Sequence, residues 1–388
     1  MLNNFLVAGK PRRTFLAVSI AFCAMGAMPT AYAQTLQTNT YDDTLNYNAS
    51  YNGINDSGTT VGTFQIEEPT GRTVTINSTV LSNGGTYGFE GNTLINPTDS
   101  NASAGFNSSN QITGINNSGA IVGTLEVGNT PESFYAASAA ALNSSGALGV
   151  QQIQDSFNGS GANANENAGN LDVTHATGVN DAGLIVGTNS FAAGGNDGFV
   201  YNNTGSTVDG VAAGTYNEIN AAGATSTQIA GVNDAGIAVG SATIGGITEG
   251  LVYNISTGTS TAFTVPGVDA TNGTFVTGIN PGVSGKLAGI DEITGYTVNA
   301  AGISSGFIAV FNAATDTVSQ FDTYGNGSSN VYYSGINDSG TIVGTLLNPT
   351  SGFLNGFEAD IPSPGTLPLL AAGFMALGLR CRRNRLQA

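Results

Sequence analysis

The stretch Gly335-Ile336-Asn337-Asp338-Ser339-Gly340-Thr341-Ile342-Val343-Gly344 decides the fold, because the chain contains six copies of its pattern at intervals of 47 to 64 residues. In five copies the outer glycines are nine positions apart and a third glycine occupies the sixth position. The fifth copy, read as Gly278 to Gly289, carries a two-residue insertion. Equal frames in five copies indicate one structural module repeated along the chain. The copies begin at Gly53, Gly114, Gly178, Gly231, Gly278 and Gly335.

Each copy predicts a tight β-hairpin in which an apolar strand reaches the turn at Asn-Asp and a second apolar strand follows. Asn and Asp side chains bond nearby backbone N–H groups, and the third glycine supplies the positive φ of a type I turn with a G1 bulge. The outer glycines are expected to let neighbouring strands approach closely. The predicted turn residues are Asn55, Asp56, Gly58, Asn116, Gly119, Asn180, Asp181, Gly183, Asn233, Asp234, Gly236, Asn280, Asn337, Asp338 and Gly340.

Further strands complete each module. A recurring Gly-Phe piece, as in Gly198-Phe199-Val200-Tyr201, alternates like a strand with a buried aromatic face, and stretches such as 261–267 indicate another strand. Four short strands every ~50 residues are typical of a propeller blade. The sequence therefore predicts an all-β repeat domain at residues 34–360, a six-bladed β-propeller, with a β-sandwich or an open array as alternatives. Ring closure would pair residues near 41–51 with 356–359 and remove exposed strand edges.

The N-terminus has the pattern of a secretory signal peptide, residues 1–33. Basic residues precede an apolar run from Phe15 to about Met28, and Ala31 and Ala33 form a small-residue cleavage site. Arg12-Arg13 also resembles a twin-arginine export signal, so export through either the twin-arginine or the ordinary unfolded-chain route stays open.

The C-terminal segment, residues 361–388, combines a short motif, an apolar run and a basic end. Pro362, Ser363 and Pro364 precede a predicted apolar helix from Gly365 to Leu379. Fifteen helical residues span about 22 Å, short of the ~30 Å hydrocarbon core, although flanking arginines can snorkel. Because positive charge stays on the cytoplasmic side, the acidic body is expected outside, with transient membrane insertion through both termini. The basic end consists of Arg380, Arg382, Arg383 and Arg385.

This tripartite C-terminus resembles the PEP-CTERM sorting signal of Gram-negative bacteria. The resemblance implies recognition by the export machinery and then by an exosortase-like membrane protease, with delivery to the outer surface or the exopolysaccharide matrix. The central Glu of that motif is Ser363 here, so a permanent outward-facing anchor is the alternative.

The repeat itself, Gly-Ile-Asn-Asp-Ser-Gly-x-Ile-Val-Gly followed by Gly-Phe, resembles the bacterial extracellular repeats called the HAF family, over most of residues 45–360. The usual His-Ala-Phe is replaced by forms such as Asp197-Gly198-Phe199. The resemblance implies an envelope or secreted repeat protein and transfers no catalytic residue.

Charge and cysteine content exclude several classes of function. All 26 acidic residues lie between positions 34 and 360, together with only Arg72 and Lys286, so the body carries about −24. Such a body cannot neutralise a phosphate backbone, which excludes nucleic acid and anionic membrane surfaces as partners. The two cysteines, Cys23 and Cys381, lie in the terminal segments, so no disulfide is expected in the body.

Candidate chemistry is sparse. The single histidine, His175, is interpreted as a strand residue near a turn, and without a second His or a body Cys no transition-metal ligand set forms. No cofactor is expected; Ca²⁺ is the one metal left open, because Asp and Asn recur at equal positions of the turns, where they also act as turn caps. The adjacent acids Glu67-Glu68 and Asp291-Glu292 are expected to be solvated.

The leading functional hypothesis is a non-enzymatic cell-surface or matrix protein near exopolysaccharide. The alternatives are a secreted polysaccharide-active enzyme and a calcium-dependent adhesion module. Carboxylates clustered at one mouth of the channel would favour the enzyme, whereas dispersed acids would favour the scaffold.

Overall fold

A computed structural model describes most of the repeat region. The described residues are 36–37, 47–66, 74–76, 79–81, 86–90, 93–95, 110–127, 130–138, 150–153, 171–191, 195–267, 270, 272–280, 290–324, 330–347 and 354–360. The predicted signal peptide and the C-terminal helix lie outside these residues. Within the described ranges no helix is long and apolar enough to cross a membrane.

The described residues form six four-stranded antiparallel sheets, one for each copy of the repeat. This confirms the all-β propeller prediction, with four strands in each module. We number the blades by the copy that they contain, and the sixth blade also takes the N-terminal strand β1. The strands are β1 (Leu36–Gln37); β2 (Tyr47–Ile54), β3 (Thr60–Ile66), β6 (Thr86–Glu90) and β7 (Thr93–Ile95) in the first blade; a small separate hairpin of β4 (Val74–Ile76) and β5 (Thr79–Leu81); β8 (Asn110–Ile115), β9 (Ile121–Val127), β10 (Thr130–Ala136) and β11 (Val150–Ile153) in the second; β12 (Leu171–Val179), β13 (Leu184–Phe191), β14 (Asn196–Asn202) and β15 (Tyr216–Ile219) in the third; β16 (Ala224–Val232), β17 (Ile237–Ile244), β18 (Ile247–Asn254) and β19 (Thr259–Phe263) in the fourth; β20 (Thr274–Ile279), β21 (Ile290–Val298), β22 (Ser304–Asn312) and β23 (Thr317–Tyr324) in the fifth; and β24 (Val331–Ile336), β25 (Thr341–Leu347) and β26 (Leu354–Asp360) in the sixth.

The repeated motif forms the hairpin between the first and second strands of each blade. In the third blade, Gly183 N–H donates to the carbonyl of Asn180, and Asn180 N–H donates to the carbonyl of Leu184. The third glycine of five copies has a positive φ between 71° and 83°, as the turn prediction requires. Only glycine adopts this conformation without a steric penalty, which explains its place in the motif.

The first outer glycines bring the innermost strands of neighbouring blades together. A Cβ on Gly278 would lie 3.0 Å from the Cα of Gly335, and a Cβ on Gly114 would lie 2.9 Å from the carbonyl oxygen of Thr177. Real Cβ atoms rarely come that close to backbone atoms. The predicted close approach of strands is therefore confirmed, and it occurs around the centre of the ring.

The ring closes between the last and the first blade. Strand β1 pairs with β26, with Leu36 opposite Ala359, and so supplies the outermost strand of the sixth blade. The side chains of Tyr51 and Ile54 pack against Val343 of the sixth blade. The pairing partner predicted at residues 41–51 is wrong in position: closure uses residues 36–37, and β2 is instead the innermost strand of the first blade.

The fifth hairpin departs further from the motif than its sequence indicates. Asn280 N–H donates to the carbonyl of Glu292, the role that Leu184 has for Asn180 in the third blade. Gly295, not Gly289, then occupies the place of the last motif glycine, because a Cβ there would overlap the carbonyl oxygen of Phe275. The outer glycines are thus 17 positions apart, and the predicted two-residue insertion is wrong.

The core lies between adjacent blades. Phe199, Phe307 and Phe357 of the third strands are fully buried, as predicted for the Gly-Phe strand, and Phe134, which follows Ser133, is 1% exposed in the same place. Each such ring packs where the second strand has a glycine, for example Phe307 against Gly295. Complete burial of one Phe side chain stabilises the fold by roughly 2–3 kcal/mol.

Candidate functional site

The six hairpin turns converge at one end of the central channel, where they line a cavity of about 70 Å³. The lining consists of the Ile or Val that precedes each motif Asn, the motif Asn itself in five blades, and in four blades the residue that follows it. The arrangement follows from the fold, because each innermost strand ends at its turn and the six strands run side by side. We call this end of the channel the turn mouth.

A ring of side-chain amides joins the turns. The Asn55 amide donates to the carbonyl of Asn116, 3.1 Å away, and the Asn180 amide donates to that of Asn233 at 2.8 Å. The Asn337 amide donates to the carbonyl of Asn55 at 3.2 Å, so the chain of bonds crosses the closure of the ring. The motif Asn side chains are at most 8% exposed. The corresponding bonds of the second and fourth turns are Asn116 to Asn180 at 3.1 Å and Asn233 to Asn280 at 3.4 Å.

The same Asn side chains also hold their own turns. The Asn180 carbonyl oxygen Oδ1 accepts the Leu184 N–H at 2.8 Å, and equivalent bonds occur in all six hairpins. One buried side chain therefore satisfies a backbone donor within its blade and a backbone acceptor in the next. The sequence predicted the first role, but it gave no indication of the second, because the partners are 47 to 64 residues apart along the chain and meet only in the ring.

Outside the amides lies a ring of acidic side chains. Each accepts a backbone N–H from the preceding turn: Asp181 Oδ1 from Asn117, Asp234 Oδ1 from Asp181, and Asp56 Oδ1 from Asp338, each at 2.8 Å. In the second turn, Asn117 takes the place of Asp, and its amide donates to Asp56 Oδ2 at 2.7 Å. Both oxygens of Asp56 thus accept hydrogen bonds from neighbouring turns.

A third set of contacts lies one step further into the channel. The Asn52 amide donates to the Ile112 carbonyl at 2.8 Å, and the Thr277 hydroxyl donates to the Tyr333 carbonyl at 2.7 Å. Thr113 and Thr177 make equivalent contacts to the next blade. Four of the six positions before the first motif glycine therefore join blades.

The fifth turn interrupts both rings. The Asn280 amide donates to Glu292 Oε2 at 3.2 Å in its own blade rather than to the sixth turn. Position 281 is proline, which has neither an N–H nor a polar side chain, so it cannot repeat the acid-ring contacts. Asp338 Oδ1 is buried and has no hydrogen-bond partner among the described residues.

Two acids of the fifth blade contribute to this region, contrary to the prediction that Asp291 and Glu292 are solvated. Asp291 is 3% exposed and Glu292 5%. The Asn233 side chain donates a hydrogen bond to Asp291. The charge of Asp291 in turn contributes to a raised pKa of Asp338. The missed signal is the alignment of Gly295 with the other motif glycines, which moves Glu292 to the buried start of the second strand. The other predicted acid pair, Glu67-Glu68, lies outside the described residues.

Burial and mutual repulsion change the ionisation of these acids. Burial first, and then the charge of Asp56 and a hydrogen bond with its side chain, raise the pKa of Asp338 to about 7; Asp234 and Asp291 add to the rise. Burial raises the pKa of Asp291 to about 6, against the opposing effect of the Asn233 hydrogen bond. Burial also raises the pKa of Asp234. The turn mouth therefore holds carboxyl groups that take up protons near neutral pH.

The other sequence candidates lie apart from the turn mouth or outside the described residues. His175 lies in β12, four residues before the strand ends, and burial lowers its pKa. Among the described residues, no three His, Cys, Asp or Glu side chains are grouped to hold a metal ion. The signal cleavage residues Ala31 and Ala33 and the C-terminal motif from Pro362 to Arg385 fall outside the described residues.

Comparison with known proteins finds a structural similarity but no sequence family. No family model matches the chain, and no curated protein matches it. Among solved structures, it is similar to the crystal structure of TolB from Acinetobacter baumannii, with 10% sequence identity and a TM-score of 0.40. The match covers 77% of this chain and 63% of that one, so this chain spans less than two thirds of that protein's length.

Proposed function

We propose that this protein is an exported, non-enzymatic scaffold of the cell surface or extracellular matrix, located near exopolysaccharide. The observation that carries the proposal is the ring of amides at the turn mouth. The repeated Asn side chains are buried and bond both their own turn and, in five of the six blades, the next blade. The residues that define the repeat are therefore used to build a closed, rigid body.

The ends of the chain support export to the surface. The N-terminal signal pattern and the PEP-CTERM-like C-terminus place basic residues on both sides of the acidic body. We propose that the export machinery and an exosortase-like protease act on these ends, and that a retained C-terminus would anchor the protein facing outward.

Mass spectrometry of the intact protein tests this proposal. The full-length chain is expressed in its native host, and the mature C-terminus is measured in membrane, surface and medium fractions. We expect loss of the residues beyond about Pro364 and recovery in the surface and medium fractions. A variant with Arg380, Arg382, Arg383 and Arg385 changed to Gln should retain the C-terminus. Recovery of wild-type protein ending at Ala388 only in the membrane fraction would contradict sorting.

A polysaccharide-active enzyme is the second candidate, because carboxyl groups do cluster at the turn mouth and the pKa values of Asp338 and Asp291 are raised. Two observations weigh against it. Several of these carboxylates accept backbone N–H groups of the neighbouring turn, and the cavity of about 70 Å³ is small beside the roughly 300–1,000 Å³ of small-molecule sites.

Incubation of the native host's exopolysaccharide with the wild type and with Asp291→Asn separates the two functions. The scaffold proposal expects no release of reducing ends by either protein. Release by the wild type and its loss in Asp291→Asn would establish the enzyme. The calcium-dependent adhesion module predicts, in addition, a rise in melting temperature with Ca²⁺ that chelator reverses.

A further inference from the structure

The turn of the sixth blade has a contact pattern that the other turns do not share. It contacts the first blade through two hydrogen bonds. The Asn337 side-chain amide donates to the Asn55 carbonyl, and the Asp338 N–H donates to Asp56 Oδ1. On its other side, Asn280 bonds within its own blade and Pro281 has no N–H to offer. Asp56, Asp181 and Asp234 each accept a backbone N–H from a neighbouring turn, whereas Asp338 Oδ1 accepts none among the described residues.

Among the described residues, the charged groups that act on Asp338 are all acidic. They are Asp56 from the first turn, Asp234 from the fourth turn and Asp291 from β21. None of the nine Lys and Arg residues of the chain lies in its described part. Two carboxylates that share a hydrogen bond need a proton between them, and Asp338 Oδ1 has no donor among the described residues to offset a second negative charge.

We propose that Asp338 makes the sixth turn a proton-dependent contact of the ring. With a proton shared between Asp338 and Asp56, the turn is held against the first blade; without it, repulsion among Asp338, Asp56 and Asp291 loosens this turn while the other turns stay closed. This inference concerns how the ring responds to pH and does not depend on the proposed function.

The expected pH range follows from the sign of the ionisation change. The folded protein holds the Asp338 proton up to about pH 7, whereas an unfolded chain releases it near pH 3.8. The stabilisation that this proton gives is complete below about pH 4 and is lost as the pH rises to about 7. Asp291, with a pKa raised to about 6, adds a change of the same sign.

Hydrogen exchange at two matched amides tests the proposal in the purified full-length protein. Thr341 N–H donates to Asn337 Oδ1 in the sixth turn, and Leu184 N–H makes the same bond to Asn180 in the third. Between pH 5 and pH 8, we expect the protection factor of Thr341 to fall at least about tenfold, the change that one unit of pKa difference produces. Leu184 should keep its protection factor.

Substitutions separate this effect from a general response to pH. Asp338→Asn should keep Thr341 protected at both pH values. The control is Asp181→Asn, because Asp181 accepts the Asn117 N–H and donates its own N–H to Asp234. This control should leave the wild-type pattern of protection unchanged. If Asp338→Asn does not fold, Asp56→Asn keeps the acceptor for the Asp338 N–H and should likewise protect Thr341 at pH 8. Parallel changes at Thr341 and Leu184, or an unchanged loss in the folded variant, would overturn the proposal.

Discussion

At the scale of single residues, the motif Asn carries more of the structure than a turn residue normally does. Asn180 is 3% exposed, donates to the Asn233 carbonyl and accepts the Leu184 N–H. Removal of this side chain leaves the buried Leu184 N–H without its partner, and it takes one of two donors from the Asn233 carbonyl, which keeps the Gly236 N–H. The unpaired donor costs about 1–3 kcal/mol, and the lost bond to the Asn233 carbonyl adds about 1 kcal/mol.

We therefore expect Asn180→Ala to lower the free energy of unfolding by about 2–4 kcal/mol. A matched control is Asn254→Ala, whose side chain caps its own turn through the Ser256 and Thr257 N–H groups and has no hydrogen bond to another blade among the described residues. The control should cost about 1 kcal/mol or less. Urea unfolding of both variants measures the difference, and equal costs would show that the contact between blades contributes nothing.

At the scale of the element, the fifth hairpin shows how far the sequence allows prediction. Hairpin position, the positive φ of the third glycine and the close approach of strands follow from residue types and spacing. The length of the fifth loop does not, because Leu287-Ala288-Gly289 resembles the Ile-Val-Gly end of the motif at nearly the expected distance. Only strand pairing distinguishes it from Ile293-Thr294-Gly295, and pairing is a property of the folded sheet.

The burial of Asp291 and Glu292 was missed for the same reason. Adjacent acids in a Gly-rich loop are normally solvated, and here the longer loop places them at the start of a buried strand. Likewise, the contacts between turns could not be read from spacing, since every partner lies in another blade.

The corrected alignment of the fifth hairpin makes a specific prediction. Gly295→Ala should destabilise the protein by about 3 kcal/mol or more, because the added Cβ would overlap the Phe275 carbonyl and press on the Phe307 ring. Gly205→Ala, where a Cβ meets no atom within 4 Å, should change stability by less than about 0.5 kcal/mol. Thermal unfolding measures both. If Gly295→Ala is tolerated and Gly289→Ala is destabilising, the fifth copy ends at Gly289 and the two-residue insertion is correct.

At the scale of the whole molecule, six blades share their cores and turn contacts around one closed ring. Innermost strands meet at glycines, amides join successive turns, and β1 completes the sixth blade. An open array of the same modules would leave the first and last blades with unpaired strand edges and buried groups without partners. Closure is therefore the property on which the scaffold proposal depends.

The most direct test of closure compares Asn337→Ala with Asn116→Ala by urea unfolding at pH 5, where the sixth turn is held against the first blade. Asn116 joins blades that are neighbours along the chain, whereas Asn337 joins the last blade to the first, 282 residues away. Both side chains also hold their own turns in the same way, so that contribution cancels. A closed ring predicts equal losses of stability, within about 0.5 kcal/mol. A loss at Asn337 smaller by about 1 kcal/mol or more, the net value of one hydrogen bond, would contradict a closed ring.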